Sequence, residues 1–166
     1  MIALSQLRRP SAPRALGAAL VIGLPLAVGG IGAIWTAEAI PAWYRSLAKP
    51  SWTPPDFVFA PVWTTLYLAM GVAMLDVIRS RREGVALAGV LFGLQLALNL
   101  GWSWLFFGRR NPDAALVEIA LLHASIVATV LAFGQVRPRA ALLLLPYLAW
   151  VSFAAVLNAE VVRLNS

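Results

Sequence analysis

The ionisable residues of this sequence do not assemble a recognisable catalytic set. The acidic residues are Glu38, Asp56, Asp76, Glu83, Asp113, Glu118 and Glu160, the single histidine is His123, and there is no cysteine. No Ser-His-Asp arrangement, Gly-rich phosphate loop or metal-ligand spacing is present, and one histidine cannot make a His-based metal site alone. Every acidic residue except Glu118 falls at or near the end of an apolar run. Glu118 lies about one turn inside its run. It is expected at headgroup level, where an ionisable side chain costs little, with a place on a proton path as the alternative. His123, one turn deeper, is expected to be a neutral, hydrogen-bonded packing residue.

The residues that do form patterns are aromatic and amide. At about 100° per residue, Gln95, Asn99, Trp102 and Phe106 share one stripe of a helix, with Ser103 beside it. Trp63, Tyr67, Met70 and Met74 make a second stripe, and Tyr147, Trp150, Ala154 and Asn158 a third. Amides at such positions can serve as glue between helices, at roughly 0.6–2 kcal/mol each. Aromatic residues near helix ends commonly form interfacial belts, which accounts for Trp35, Trp43 and Trp52. Trp150 is about ten residues into its run and escapes that explanation. Flat aromatic walls with a few amides suit a large, planar, mostly apolar ligand.

The elements that must carry these stripes are membrane helices. The 166 residues are 61% hydrophobic and 12% charged, where a soluble domain has roughly 25% charged residues. Five runs of the length a bilayer requires are found at 15–35, 57–78, 85–107, 114–133 and 140–162. The expectation is therefore an all-α integral membrane protein, a five-transmembrane-helix bundle forming a single membrane domain over 1–166. Ala37-Glu38-Ala39 has the look of a signal cleavage site, but the first run is too long for a signal core. Asn111-Pro112 reads as a cap and first turn. Gly134 and Pro138 read as the stop of one helix and the start of the next. The short connectors predict antiparallel neighbours in an up-down bundle.

The net charge of +6 is not a nucleic-acid footprint, because the arginines cluster between apolar runs. Eight basic residues (Arg8, Arg9, Arg14, Arg79, Arg81, Arg82, Arg137, Arg139) fall on one side and five (Arg45, Lys49, Arg109, Arg110, Arg163) on the other. This bias favours an N-terminus inside. The segment at 36–56, rich in Pro and Trp, is expected to be a loop outside the bilayer and a lid over a pocket. No internal repeat is visible, and five helices do not divide into the two inverted halves common in secondary transporters. The third helix carries one more pattern. Gly89, Gly93, Ala97 and Gly101 line the face opposite its polar stripe, and small residues let a second helix approach closely. That face is expected to be a homodimer seam, with packing inside the bundle as the alternative.

Three ordered blocks resemble the TspO/MBR family of tryptophan-rich sensory and translocator proteins, also called peripheral benzodiazepine receptors. The first is Trp43-Tyr44 with Leu47, Lys49-Pro50, Trp52, Pro54-Pro55, Pro61, Trp63 and Tyr67. The second is Gln95-Leu96-Ala97-Leu98-Asn99 with Trp102 and Phe106-Phe107-Gly108. The third is Pro146-Tyr147-Leu148-Ala149-Trp150 with Phe153-Ala154 and Leu157-Asn158. The resemblance covers the chain from about Ala15 onward. It implies a five-helix membrane protein, often homodimeric, that requires no cofactor. It also implies binding of protoporphyrin IX or a related tetrapyrrole and of isoquinoline carboxamide-type ligands. Asn99 matches the amide that bonds the ligand, and Tyr44, Pro54, Tyr67 and Ala154 match lining positions. Gln95, Trp102, Phe106 and Tyr147 join them from the stripes above. Some bacterial members are reported to degrade protoporphyrin IX in light, and the tryptophans tied to that chemistry match Trp63 and Trp150. The sterol motif of animal members needs an aromatic where this chain has Ala159, so the resemblance does not extend to sterol binding through that motif. The Ala/Arg/Leu-rich composition points to a bacterial source.

Overall fold

A computed structural model describes residues 12–166, and all its regular structure is helical. Five helices follow in order: α1 (Ala12–Ala39), α2 (Asp56–Ser80), α3 (Val85–Ser103), α4 (Pro112–Val136) and α5 (Pro138–Asn165). All five are long and apolar enough to cross a bilayer. Arg8 and Arg9, counted above toward orientation, lie outside the described residues.

Two helices end in a wider π-helical turn, at Ile40–Tyr44 after α1 and at Trp104–Gly108 after α3. The first corrects the expected boundary. The chain does not leave its helix at Trp35, and only residues 47–55 of the expected 36–56 loop are non-helical. The apolar run ends where Thr36 and Glu38 begin, but both are compatible with a helix, so apolar character ended before helicity. Pro41 has no N–H to donate and its ring crowds the preceding turn. It falls at the start of the wider turn, where the hydrogen-bond ladder is already reset.

The other ends follow local chemistry. Asn111 Oδ1 accepts from the Ala114 amide at 3.0 Å, and Pro112 takes the first position of α4. This is the cap expected from Asn-Pro. Gly134 does not stop α4, which runs on to Val136. The break is made by extended Arg137, and Pro138 then opens α5. A glycine inside a helix costs about 1 kcal/mol relative to alanine, too little to end a helix that is packed on both sides.

The helices form a ring in the order α1-α2-α5-α4-α3, closed where α3 and its π turn meet α1. Short connectors do join antiparallel helices, but α2 and α3 are not close neighbours, contrary to the simple up-down expectation. α2 packs mainly on α1 and α5, and α3 mainly on α4 and α1. The buried core lies between α2, α3, α4 and α5, around Met70, Val77, Phe92, Ile126, Phe133, Leu144 and Tyr147. α1 is the outer stave of the ring. It meets α2 backbone to side at Gly71, where a Cβ would come within 2.6 Å of Ile22 Cα. Lipid offers no hydrophobic drive between helices, so such close approach supplies van der Waals contact instead.

Candidate functional site

A cavity of about 470 Å³ opens inside the ring at the loop end. Its volume lies in the range usual for small-molecule sites, about 300–1,000 Å³. Four helices build its walls. α2 contributes Phe59, Trp63 and Tyr67. α5 contributes Trp150, Phe153 and Ala154, and the end of α3 contributes Trp102, Ser103 and Phe106. The α1 wall includes Leu26, Gly29, Gly30, Ala33, Thr36 and Ile40, which lie on one helical face. Sequence reading missed that wall. The signal was present as a row of small residues at helical spacing, but it bore no chemistry to attract notice.

The aromatic rings are held by one another. Trp63 stacks on Tyr67 with centroids 5.4 Å apart and meets Tyr147 edge-on. Trp150 packs between Phe59 at 5.9 Å and Phe153 at 5.5 Å. Trp102 stacks on Phe106 at 5.1 Å, and its indole N–H donates to Asn158 Oδ1 at 3.1 Å. Asn158 in turn donates to the carbonyl of Pro112, so one amide ties α3 and α5 to the start of α4. Asp56 is the only charged residue on the wall among the described residues.

The expected site residues divide into two layers. Tyr44, Trp63, Tyr67, Trp102, Phe106, Trp150 and Ala154 face the cavity. Gln95, Asn99 and Tyr147 lie behind it, buried in a chain of hydrogen bonds. Tyr67 Oη donates to Asn99 Oδ1 at 2.6 Å, Asn99 Nδ2 donates to Tyr147 Oη at 3.4 Å, and Tyr147 Oη donates to Gln95 Oε1 at 2.9 Å. Asn99 is therefore screened from the cavity by the Tyr67 ring. The stripe carrying Gln95 and Asn99 does face inward. The hydroxyls of Tyr67 and Tyr147 claim those amides first, because an unpaired hydroxyl costs more in an apolar core. Pro54 is not on the cavity wall; it belongs to the loop above.

That loop is fastened at its start and middle. Asn165, at the end of α5, accepts from the Ala48 amide at 3.0 Å and donates to the Ala48 carbonyl at 2.9 Å. Lys49 Nζ donates to the carbonyls of Tyr44 and Leu47 and sits 4.7 Å over the Tyr44 ring. Trp52 meets Phe153 edge-on at 5.8 Å, bringing the loop onto the cavity wall.

Two further expectations are altered. Glu118 is not simply an outward, headgroup-level side chain. Both its carboxylate oxygens are buried without a hydrogen-bond partner, against the side-chain-free face of Gly101. Of the small-residue stripe on α3, Gly93 and Ala97 are exposed, whereas Gly89 looks toward Met74 and Gly101 toward Glu118. Those two outer positions of the stripe are at least partly used within the chain. His123 behaves as a packing residue. Ser152 Oγ donates its proton to the Leu148 carbonyl, so His123 Nε2–H is the donor in the 3.0 Å contact with Ser152.

A ring of five apolar helices around an aromatic cavity defines an integral membrane protein with an internal cavity. The TspO/MBR family model matches residues 21–164, and the chain belongs to that family. It is 50% identical over 149 residues to the tryptophan-rich protein TspO of Chlorobaculum tepidum, covering 89% of this chain and 94% of that protein. It is 45% identical over 139 residues to the translocator protein of Bos taurus, covering 81% and 82%. The tryptophan-rich sensory protein of Cereibacter sphaeroides is 40% identical over 123 residues, covering 74% and 77%. Membership of this family supports a sensory or transport role in a membrane.

Proposed function

We propose that the cavity binds a porphyrin, protoporphyrin IX or a related tetrapyrrole, and that the protein senses, regulates or transports through that binding. The observation that carries the reading is the pair of indoles, Trp63 and Trp150, on the wall of one apolar cavity. A planar macrocycle can lay its faces against Trp63 and Trp150 while its edge meets the few polar groups. Thr36 and Ser103 spend their hydroxyl protons on the carbonyls of Gly32 and Asn99, which leaves both oxygens as acceptors toward the cavity. Asn99 enters this reading as the buried partner that fixes Tyr67 rather than as a direct contact. The loop at 47–55 covers the ligand, and isoquinoline carboxamide-type compounds compete for the same walls. No cofactor is needed for binding. The N-terminus lies inside and the loop outside.

The same two indoles favour a second reading, light-dependent porphyrin degradation. A porphyrin excited in contact with an indole can exchange an electron with it reversibly while dioxygen adds across one carbon–carbon bond of the ring, which breaks to leave two carbonyls that take up both oxygen atoms. One experiment separates the two. Protoporphyrin IX is titrated into purified protein in the dark, then illuminated, for wild type and Trp150→Phe. Saturable tryptophan quenching with intact porphyrin after light supports the binding role and retires the enzyme. A product made by wild type and not by Trp150→Phe establishes catalysis. Absence of saturable quenching in both proteins overturns the porphyrin reading.

A further inference from the structure

At the end of the bundle opposite the loop, a second, shallower hollow of about 330 Å³ lies between α2 and α5. Its lining is Val72, Leu75, Asp76 and Arg79 from α2 with Arg139 and Leu143 from α5. The apolar members lie deeper along both helices. Arg79 is in the last turn of α2 and Arg139 in the first turn of α5, so both guanidiniums stand where the helices leave the bilayer.

The arginines at this end are not equivalent. Arg82 donates to the carbonyl of Val136, a bond that ties the connector after α2 to the end of α4. Arg137 faces Asp76 at 3.9 Å, which turns the only carboxylate that lines the hollow among the described residues toward a cation of its own. Arg79 and Arg139 make no hydrogen bond or ion pair among the described residues, and both are exposed. Asp76 is thus taken up by Arg137, and Arg79 and Arg139 are uncommitted beside an apolar slot.

We propose that this hollow is a binding site for one anionic phospholipid, its phosphate between Arg79 and Arg139 and an acyl chain along Val72, Leu75 and Leu143. A guanidinium offers a planar fork of donors that matches phosphate oxygens. An excess of arginine on one side of a membrane orients a helix without specifying a slot. Here the charges flank a concave apolar surface that is continuous with the acyl region, and that juxtaposition fits a lipid better than it fits a soluble anion.

Lipid retention by native mass spectrometry tests this on the full chain in neutral detergent, with phosphatidylglycerol and phosphatidylcholine as probes. Wild type is expected to hold one phosphatidylglycerol in preference to phosphatidylcholine. In Arg79→Gln/Arg139→Gln the preference should fall by about thirty-fold, the effect of two arginines near a membrane surface. Leu143→Trp fills the slot and keeps both charges, so it should also lose the retained lipid. This exposed position serves if the double variant does not fold. Arg109→Gln/Arg110→Gln removes equal charge at the loop end and should change nothing. Unchanged preference in Arg79→Gln/Arg139→Gln, or a wild type that does not distinguish the two lipids, overturns the proposal. Displacement of the lipid by millimolar inorganic phosphate also overturns it, because the site would then take phosphate alone.

Discussion

Gly29 and Gly30 are adjacent, both lie on the α1 wall of the cavity, and the structure sets them apart sharply. A Cβ built at Gly30 meets nothing within 4 Å. A Cβ at Gly29 would overlap Cε2 of Tyr67 and fall 2.6 Å from Cδ2 and 2.9 Å from Cζ. The ring has little freedom to yield, being stacked on Trp63 and bonded through its hydroxyl to Asn99. Both Gly→Ala changes gain about 0.8–1 kcal/mol of helix propensity. For Gly29→Ala, overpacking against a fixed ring costs about 1–3 kcal/mol. If the ring moves instead, it gives up a buried interhelical hydrogen bond worth about 0.6–1.7 kcal/mol. Gly29→Ala is therefore expected to sit about 1–3 kcal/mol below Gly30→Ala in stability, read from denaturant titrations followed by tryptophan fluorescence. A ring that is displaced moves toward the cavity, so Gly29→Ala should also weaken dark porphyrin binding more than Gly30→Ala does. Adding Tyr67→Ala removes the obstacle, and a double-mutant cycle should recover at least about 1 kcal/mol of coupling. Equal stabilities for the two alanine variants, or additivity in the cycle, would refute the reasoning.

The loop fastening and the outer face of α3 make two further predictions. Asn165→Ala removes both bonds to Ala48 while leaving the helices intact, so amide exchange at residues 47–55 should speed up with little change in global unfolding. Protection equal to wild type would mean that Lys49 and Trp52 hold the loop without it. We expect the protein to dimerise through the exposed Gly93 and Ala97 face of α3. Ala97→Leu, which would hold a second helix away, should then convert a dimer to a monomer by light scattering in detergent. An unchanged mass places any seam elsewhere.

Much of the architecture was legible because lipid imposes a simple condition. Each run of about 20 apolar residues must be a helix, and five runs gave five helices. The boundary errors share one cause. Hydropathy marks where the chain leaves the acyl region, whereas hydrogen bonding decides where a helix ends, and at Thr36–Tyr44 the two differ. The ring order could not be read, since it depends on which faces fit, as Gly71 fits Ile22, rather than on connector length. The aromatic wall residues were legible from helical spacing. The role of Gln95 and Asn99 was half legible, because periodicity says that they point inward but does not say that Tyr67 and Tyr147 meet them there.

The two π turns have a consequence for how this chain can tolerate insertion and deletion. Each holds one residue more than an α turn, and they meet each other: Trp43 packs on Phe106 at 5.6 Å and Tyr44 on Phe107 at 5.9 Å. Removing a single residue from 40–44 would let the turn relax to α geometry. The chain beyond would keep nearly its angular phase, because five residues of a π turn and four of an α turn both subtend about 400°. The loss would fall on the turn itself, where Trp43 and Tyr44 now pack on Phe106 and Phe107. The extra residue is contained within the turn, so a one-residue deletion at 40–44 should cost the aromatic contacts of that turn while leaving the loop beyond in register.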